Sequence, residues 1–321
     1  MKRLFDRLAR LLLVGATLAP FPTTAAEWKP TDTMQMIVAS GAGGAHDVIS
    51  RAMSRIWEKH FGVKLIVQNM GGAGGTLGID RVATSKPDGL TLGFASSNSY
   101  IGEFIESHFP WKAENIPMIV AAETPSYTVS VSAKGPFKKW EDLRTANRRI
   151  RIGVAATLST EVVVIRDLLN HGREITTGTM STNAIITSLI AGDLDIWCVP
   201  TSKVFEEPYR KGDIRALAVL DTKRDPMIPD VPMLTDLGMP SEWNNVRLTR
   251  VWYAPIGTPR EIVEGTEKRM KALMADPEIK DWLWDNGFVR GTLTGQQALE
   301  SLRGMAKIIR DNDDIYKKYG G

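Results

Sequence analysis

The sequence predicts an α/β protein built as two lobes, and three observations predict it. Strand-like and amphipathic helical segments alternate as βαβαβ over the first hundred residues. The same alternation restarts near residue 150, and glycine-rich loops follow the first two strands. Alternation of this kind buries helices against both faces of a parallel sheet, and a second start implies a second sheet.

Taken in order, Met34 to Ala39 reads as a strand and Val48 to His60 as a helix with one apolar face. Lys64 to Gln68 is a strand, Gly78 to Ser85 a short helix and Thr91 to Ala95 a third strand. In the second half, Ile150 to Val154, Asp195 to Val199 and Arg215 to Leu220 read as strands, with helices over Ser159 to Asn170 and Asn183 to Ala191. Tyr127 to Ser132 and Val251 to Ala254 are strand-like segments placed to serve as paired hinges, with the helices Pro259 to Ala275 and Pro277 to Gly287 returning to the first lobe. The expected division is therefore 27–127 and 251–321 for the first lobe and 128–250 for the second.

Residues 1–26 read as a secretory leader. Lys2, Arg3, Arg7 and Arg10 precede the short apolar run Leu11 to Leu18, and Thr24-Ala25-Ala26 offers small residues for cleavage near Ala26. The run is too short for a spanning helix, which needs roughly 20 apolar residues. The expected location is the periplasm. Without the leader, the 40 basic and 37 acidic residues fall to 36 of each, so the remaining chain is neutral. That balance gives no electrostatic footprint for nucleic acid, and any anion preference must come from a local site. Cys198, the single cysteine, lies in the apolar run Ile196-Trp197-Cys198-Val199 and reads as a small core residue. Trp197 is either core or a flat wall of the crevice.

The chemistry sits in the loops. The first is Ser40, Gly41, Ala42, Gly43, Gly44, Ala45 and His46, followed by Asp47. The second centres on Gly72, Ala73, Gly74, Gly75 and Thr76. Glycine lets a ligand reach the backbone, and unpaired N–H groups at a helix start favour an anion. Two such loops at the carboxyl ends of neighbouring parallel strands converge on the crevice where open α/β sheets bind ligands. Neither loop has the Gly-Lys-Ser/Thr of a P-loop or the Gly-x-Gly-x-x-Gly of a dinucleotide site. Asp47 reads as the residue that caps the helix or orients the loop, and His46 as a possible cation or a neutral neighbour of the crevice. In the second half, Ala156, Thr157, Leu158 and Ser159 join a strand to a helix, Ser159 as a helix cap. His60, His108 and His171 have no metal-ligand spacing, and neither a catalytic set nor a cofactor motif stands out.

At these loops the chain resembles the periplasmic substrate-binding proteins of tripartite tricarboxylate transporters, also called Bug receptors. The resemblance rests on Gly43-Gly44-Ala45-His46-Asp47 with Arg51, on Asn69 with Gly72-Ala73-Gly74-Gly75 and Gly78, and on Pro87-Asp88-Gly89-Leu90-Thr91-Leu92. Ala191-Gly192-Asp193-Leu194-Asp195, Arg224 with Pro229-Asp230-Val231-Pro232, and Ala254-Pro255 with Gly257-Thr258-Pro259 continue it in order. The resemblance implies a type II periplasmic-binding-protein fold whose two lobes close over a small carboxylate, with the first-lobe loops gripping it. It implies membrane transporter subunits as partners, a monomer and no enzymatic activity. The second lobe departs from the family pattern. Glu161 stands where the family has His, Thr179-Met180-Ser181 replaces a Tyr-x-Gly turn, and Val199 replaces an Asp. Thr179 joins the candidate ligand residues on this comparison. These departures make the second lobe the place where ligand identity is set, with an apolar or aromatic body as one expectation. A periplasmic sensor speaking to a membrane kinase, and a hydrolase or transferase on the same scaffold, are the competing readings.

Overall fold

The computed structural model describes residues 28–319 except 101–108, 124, 155–159, 181, 247, 287 and 290. The expected leader lies outside the described residues. The first stretch runs β1 (Met34–Val38), α1 (Ala45–Phe61), β2 (Leu65–Asn69), α2 (Thr76–Ala83), β3 (Thr91–Ser96) and β4 (Met118–Glu123). The second runs β5 (Tyr127–Ser132), α3 (Trp140–Arg144), β6 (Ile150–Val154), α4 (Glu161–Asn170), β7 (Ile175–Thr179), α5 (Thr182–Ala191), β8 (Ile196–Pro200), α6 (Lys203–Arg210) and β9 (Ile214–Leu220). The chain then returns through β10 (Thr249–Tyr253), α7 (Arg260–Met274), α8 (Pro277–Asp285), β11 (Gly291–Thr294), α9 (Gly295–Asp311) and α10 (Asp313–Tyr319).

Two sheets result. The six-stranded one is ordered β11-β4-β10-β3-β1-β2 and the five-stranded one β7-β6-β8-β5-β9. The alternation of segments predicts parallel sheets, and β2-β1-β3 and β7-β6-β8 are parallel. The rest of each sheet is antiparallel: β10 pairs with β3 and β4, β11 with β4, and β5 with β8 and β9. For β5 and β10 the reason is the crossing of the chain. The segments read as hinges, Tyr127 to Ser132 and Val251 to Ala254, are the strands on which the chain enters the second sheet and returns to the first. A strand arriving from the neighbouring lobe runs against the local βαβ direction. Strands β4, β7 and β11 and helices α3, α6 and α10 are too short to stand out in the hydrophobic pattern, whereas α9 carries a Thr294 cap and apolar residues at helical spacing that the sequence reading does not pick up.

Local chemistry explains the elements that frame the site. In α1, Ile49, Met53, Ile56 and Trp57 recur at helical spacing and are buried against the first sheet, with Trp57 stacked on Phe61 at 4.0 Å. The helix ends at Gly62, whose left-handed φ of 76° lets its N–H reach the Glu58 carbonyl. Asp276 caps α8 through Glu278 N–H at 3.0 Å and also pairs with Lys59 and His60, both at 2.7 Å. One carboxylate thereby pins the end of α1 to the start of α8. Helices α7 and α8 pack Met270, Leu273, Ile279 and Leu283 under the first sheet. Helix α9 spans both lobes: Ala298, Leu302 and Ala306 join the first lobe's cluster, while Met305, Ile308 and Ile309 join the second's. Trp197 and Cys198 are core residues of the second lobe, so Trp197 is not a wall of the crevice.

Candidate functional site

Because β1, β2 and β3 run parallel, their carboxyl ends share one edge, and the segments that follow them meet there. They enclose a cleft of about 280 Å³. The first loop contributes Ser40, Gly41 and His46, with Ala39 at the end of β1. The second contributes Gly71, Gly72, Gly74 and Gly75, and the turn after β3 contributes Ser96 and Ser99.

The first loop is shaped by Asp47. Its carboxylate accepts the Gly43 N–H at 2.8 Å and pairs with Arg51 Nε at 2.8 Å. Arg51 in turn donates to Asn69 Oδ1 at 3.1 Å, and the Asn69 amide donates to the Ser40 carbonyl at 3.4 Å. A chain of four residues therefore ties the two loops together, and Asp47 orients the loop rather than capping the first turn of α1. The Gly43 hydrogen bond is the largest influence holding the Asp47 carboxyl below its ordinary range. The second loop turns through positive φ at four successive residues, 113° at Gly72, 47° at Ala73, 68° at Gly74 and 102° at Gly75. At Gly75 a Cβ would meet Ser99 Oγ at 2.6 Å and the Ala39 carbonyl at 2.8 Å, so glycine is required for close approach to β1. At Gly41 and Gly74 a Cβ would meet nothing within 4 Å; these positions face open space.

The polar groups left over define what the cleft can hold. Among the described residues, the N–H groups of Gly41, Gly71 and Gly72 donate no hydrogen bond within the chain. The Ser40 hydroxyl is buried without a partner. Helix α1 starts at Gly44 with no side-chain cap, so its dipole and first-turn N–H groups face the same end. This set of donors suits an anion. His46 packs edge-on against Phe94 at 4.8 Å, and its Nε2 is buried without a partner. Burial, and then the nearby Arg250 cation, lower its pKa from 6.5 to about 3. The imidazole is thus neutral, and the positive potential comes from backbone amides and Arg250, not from a histidinium.

Ser40, Gly41, His46, Gly72, Gly74 and Gly75 line this cleft, whereas Ala42, Gly43, Gly44, Ala45, Ala73 and Thr76 stand in the same loops without lining it. The Thr76 hydroxyl donates to the Ala73 carbonyl at 2.8 Å. Ala156, Thr157, Leu158 and Ser159 lie outside the described residues, as does the side chain of Thr179 at the end of β7. Ala39, Ser96 and Ser99 were not singled out from the sequence, while Gly71 stands in the second glycine-rich loop just ahead of its candidate residues. The signal for the two serines was present in the run Ser96-Ser97-Asn98-Ser99 directly after the third strand. Val199, at the expected place of an Asp, is buried in the second lobe's core. Among the described residues no group of three or more His, Cys, Asp or Glu side chains is placed to hold a metal ion, and no helix is long and apolar enough to cross a membrane.

Two mixed α/β sheets joined by crossing strands, with an amide-lined cleft at the strand ends, define a solute-binding receptor of the periplasmic-binding-protein type. Residues 49–311 match the tripartite tricarboxylate transporter family receptor, TctC, and the chain belongs to that family of receptors, which are not enzymes. The protein BugT of Bordetella pertussis is 28% identical over 282 residues, 82% of each chain. The fold is similar to that of a TctC solute-binding protein from Polaromonas, with a TM-score of 0.74 at 21% identity over 90% of this chain and 99% of that one. It is also similar to a Rhodopseudomonas palustris protein solved with adipate, with a TM-score of 0.67 at 20% identity over 88% of this chain and 98% of the other.

Proposed function

We propose that this chain is an exported receptor that captures a small organic carboxylate in the first-lobe cleft and delivers it to the membrane subunits of a tripartite transporter. The observation that carries the reading is the convergence of Gly41, Gly71 and Gly72, three cleft-lining residues whose N–H groups have no acceptor among the described residues. The adipate bound by the R. palustris relative supports the same chemistry. Charge-assisted hydrogen bonds contribute on the order of 1.5–3 kcal/mol each. Several of them, less the cost of ordering, bring a dissociation constant to around micromolar, roughly −8 kcal/mol. In this proposal residues 27–127 with 251–321 form the gripping lobe and residues 128–250 the closing one, and the leader directs the chain to the periplasm.

The test is a thermal-shift and calorimetric screen of mono-, di- and aromatic carboxylates beside neutral solutes of similar size. Ligands that bind the folded state raise the melting temperature, and the expected hits are carboxylates. Gly41→Val, at a position with free space and ordinary φ, should weaken binding at least tenfold with the melting temperature of the free protein kept. Gly74→Val tests the second loop in the same way, with added backbone strain from its φ of 68°. Stabilisation by neutral solutes alone would refute the carboxylate reading, and full affinity in both variants would remove the loops from the site.

A further inference from the structure

Arg250 lies one strand away from the cleft and has no anionic partner among the described residues. It pairs across β10 and β3 with Ser96, which lines the cleft, and across β4 with Ala122. Its side chain is on the same face as Trp252, which stacks on Phe94 at 4.1 Å, and Phe94 in turn carries His46. The guanidinium donates from Nη1 to the Phe288 carbonyl at 2.7 Å and lies 5.7 Å from the Phe288 ring. Its Nε is buried without a hydrogen-bond partner, and among the described residues no carboxylate pairs with it. The cation lies near enough to oppose protonation of His46 on the first lobe and to interact with Tyr127 at the entry to the second. A part-buried guanidinium with one carbonyl and an aromatic ring for company has given up part of its hydration without gaining an anion among the described residues. Ser40 Oγ, His46 Nε2 and Arg250 Nε are among the buried polar atoms without partners on the elements that meet at this end of the sheet.

We propose that Arg250 is a ligand-contacting residue that receives a second anionic group of the solute, on the hinge side of His46, while the glycine loops hold the first. The inference rests on the carboxylate reading of the cleft and deepens it. His46 separates the two anion positions as a neutral group, its unpaired Nε2 available to a polar atom of the ligand between them. The receptor then selects dianionic acids over monocarboxylates of the same length, because a monoanion leaves the part-buried cation without a partner. Arg51, the other arginine near the loops, is already committed to Asp47 and Asn69 and does not compete for this role.

The experiment is calorimetric titration of the purified full protein with linear and aromatic dicarboxylates, each paired with its monomethyl ester. It is repeated on Arg250→Gln and Arg250→Lys, with far-UV circular dichroism and melting curves as fold controls. Wild type should prefer the diacid over its monoester by about ten- to hundredfold. Arg250→Gln should remove that preference by weakening the diacid alone, leaving monoester affinity within a few-fold. Arg250→Lys should keep part of it. Equal affinity of wild type for diacid and monoester overturns the assignment of Arg250 while the carboxylate reading stands, and this comparison needs no variant to fold. Equal weakening of both ligands in Arg250→Gln also overturns it, since that marks a structural role. If no carboxylate of either kind binds wild type, the reading of the cleft itself falls and the proposal with it.

Discussion

His46 stands where burial and a guanidinium both oppose protonation, and that has a consequence for stability. Its folded-state pKa is about 3 against 6.5 for the free side chain. The unfolded chain therefore takes up a proton first as pH falls. The stability is fully present above about pH 6.5 and is lost progressively towards about pH 3, at up to about 1.4 kcal/mol per pH unit. Denaturant unfolding of wild type at pH 7 and pH 5 should show this loss, and His46→Gln should flatten it. An identical pH dependence in the variant would mean that the imidazole is protonated in the fold. The neighbouring Asp47 was legible in sequence as a loop-orienting residue because it follows a glycine run at a helix start. Its bond to Gly43 and its pairing with Arg51 depend on where the loop returns. Ser96 and Ser99 were missed because a serine run after a strand looks like any polar turn until the strand is placed beside β1.

At the level of elements, Ala191-Gly192-Asp193-Leu194-Asp195 shows how a recognisable motif works. Helix α5 ends at Ala191, Gly192 turns through a φ of 86°, and Asp195 is buried just before β8. Its carboxylate accepts from Arg148 at 2.7 Å, from Arg151 Nη2 at 3.0 Å and from the Arg151 N–H at 2.8 Å. The motif therefore locks the end of α5 to the start of β6. Asp195→Ala should lower stability by about 1.5–3 kcal/mol, since both arginines are partly exposed and recover some hydration. Glu174→Ala, which removes only the exposed pair with Arg149, should change it by less than about 1 kcal/mol. Denaturation midpoints at constant slope compare the two, and equal midpoints would deny Asp195 its anchoring role.

For the molecule as a whole, the chain crosses between lobes near Ser126 and before Thr249, while α9 packs on both. Close to the first crossing, Ser126 donates to the buried Asp221 at 2.6 Å and its carbonyl accepts from Thr201 N–H at 2.8 Å. These bonds anchor the chain where it enters the second lobe, and the proposed function has the lobes close over the ligand. A bound carboxylate should therefore reduce the radius of gyration in small-angle scattering. Binding by calorimetry with an unchanged radius would show that the lobes do not close.

The sequence by itself determined the α/β class, the two sheets and the two glycine loops. Each is written in local periodicity, in turn chemistry or in residues that need no distant partner to be read. The tertiary structure decided the direction of the crossing strands, the neutrality of His46 and the isolation of Arg250. Those depend on which groups are brought together from residues far apart in the chain. Ser96 meets Arg250 only because β10 returns to lie beside β3, and that Arg250 has no carboxylate partner among the described residues is visible only in the folded chain.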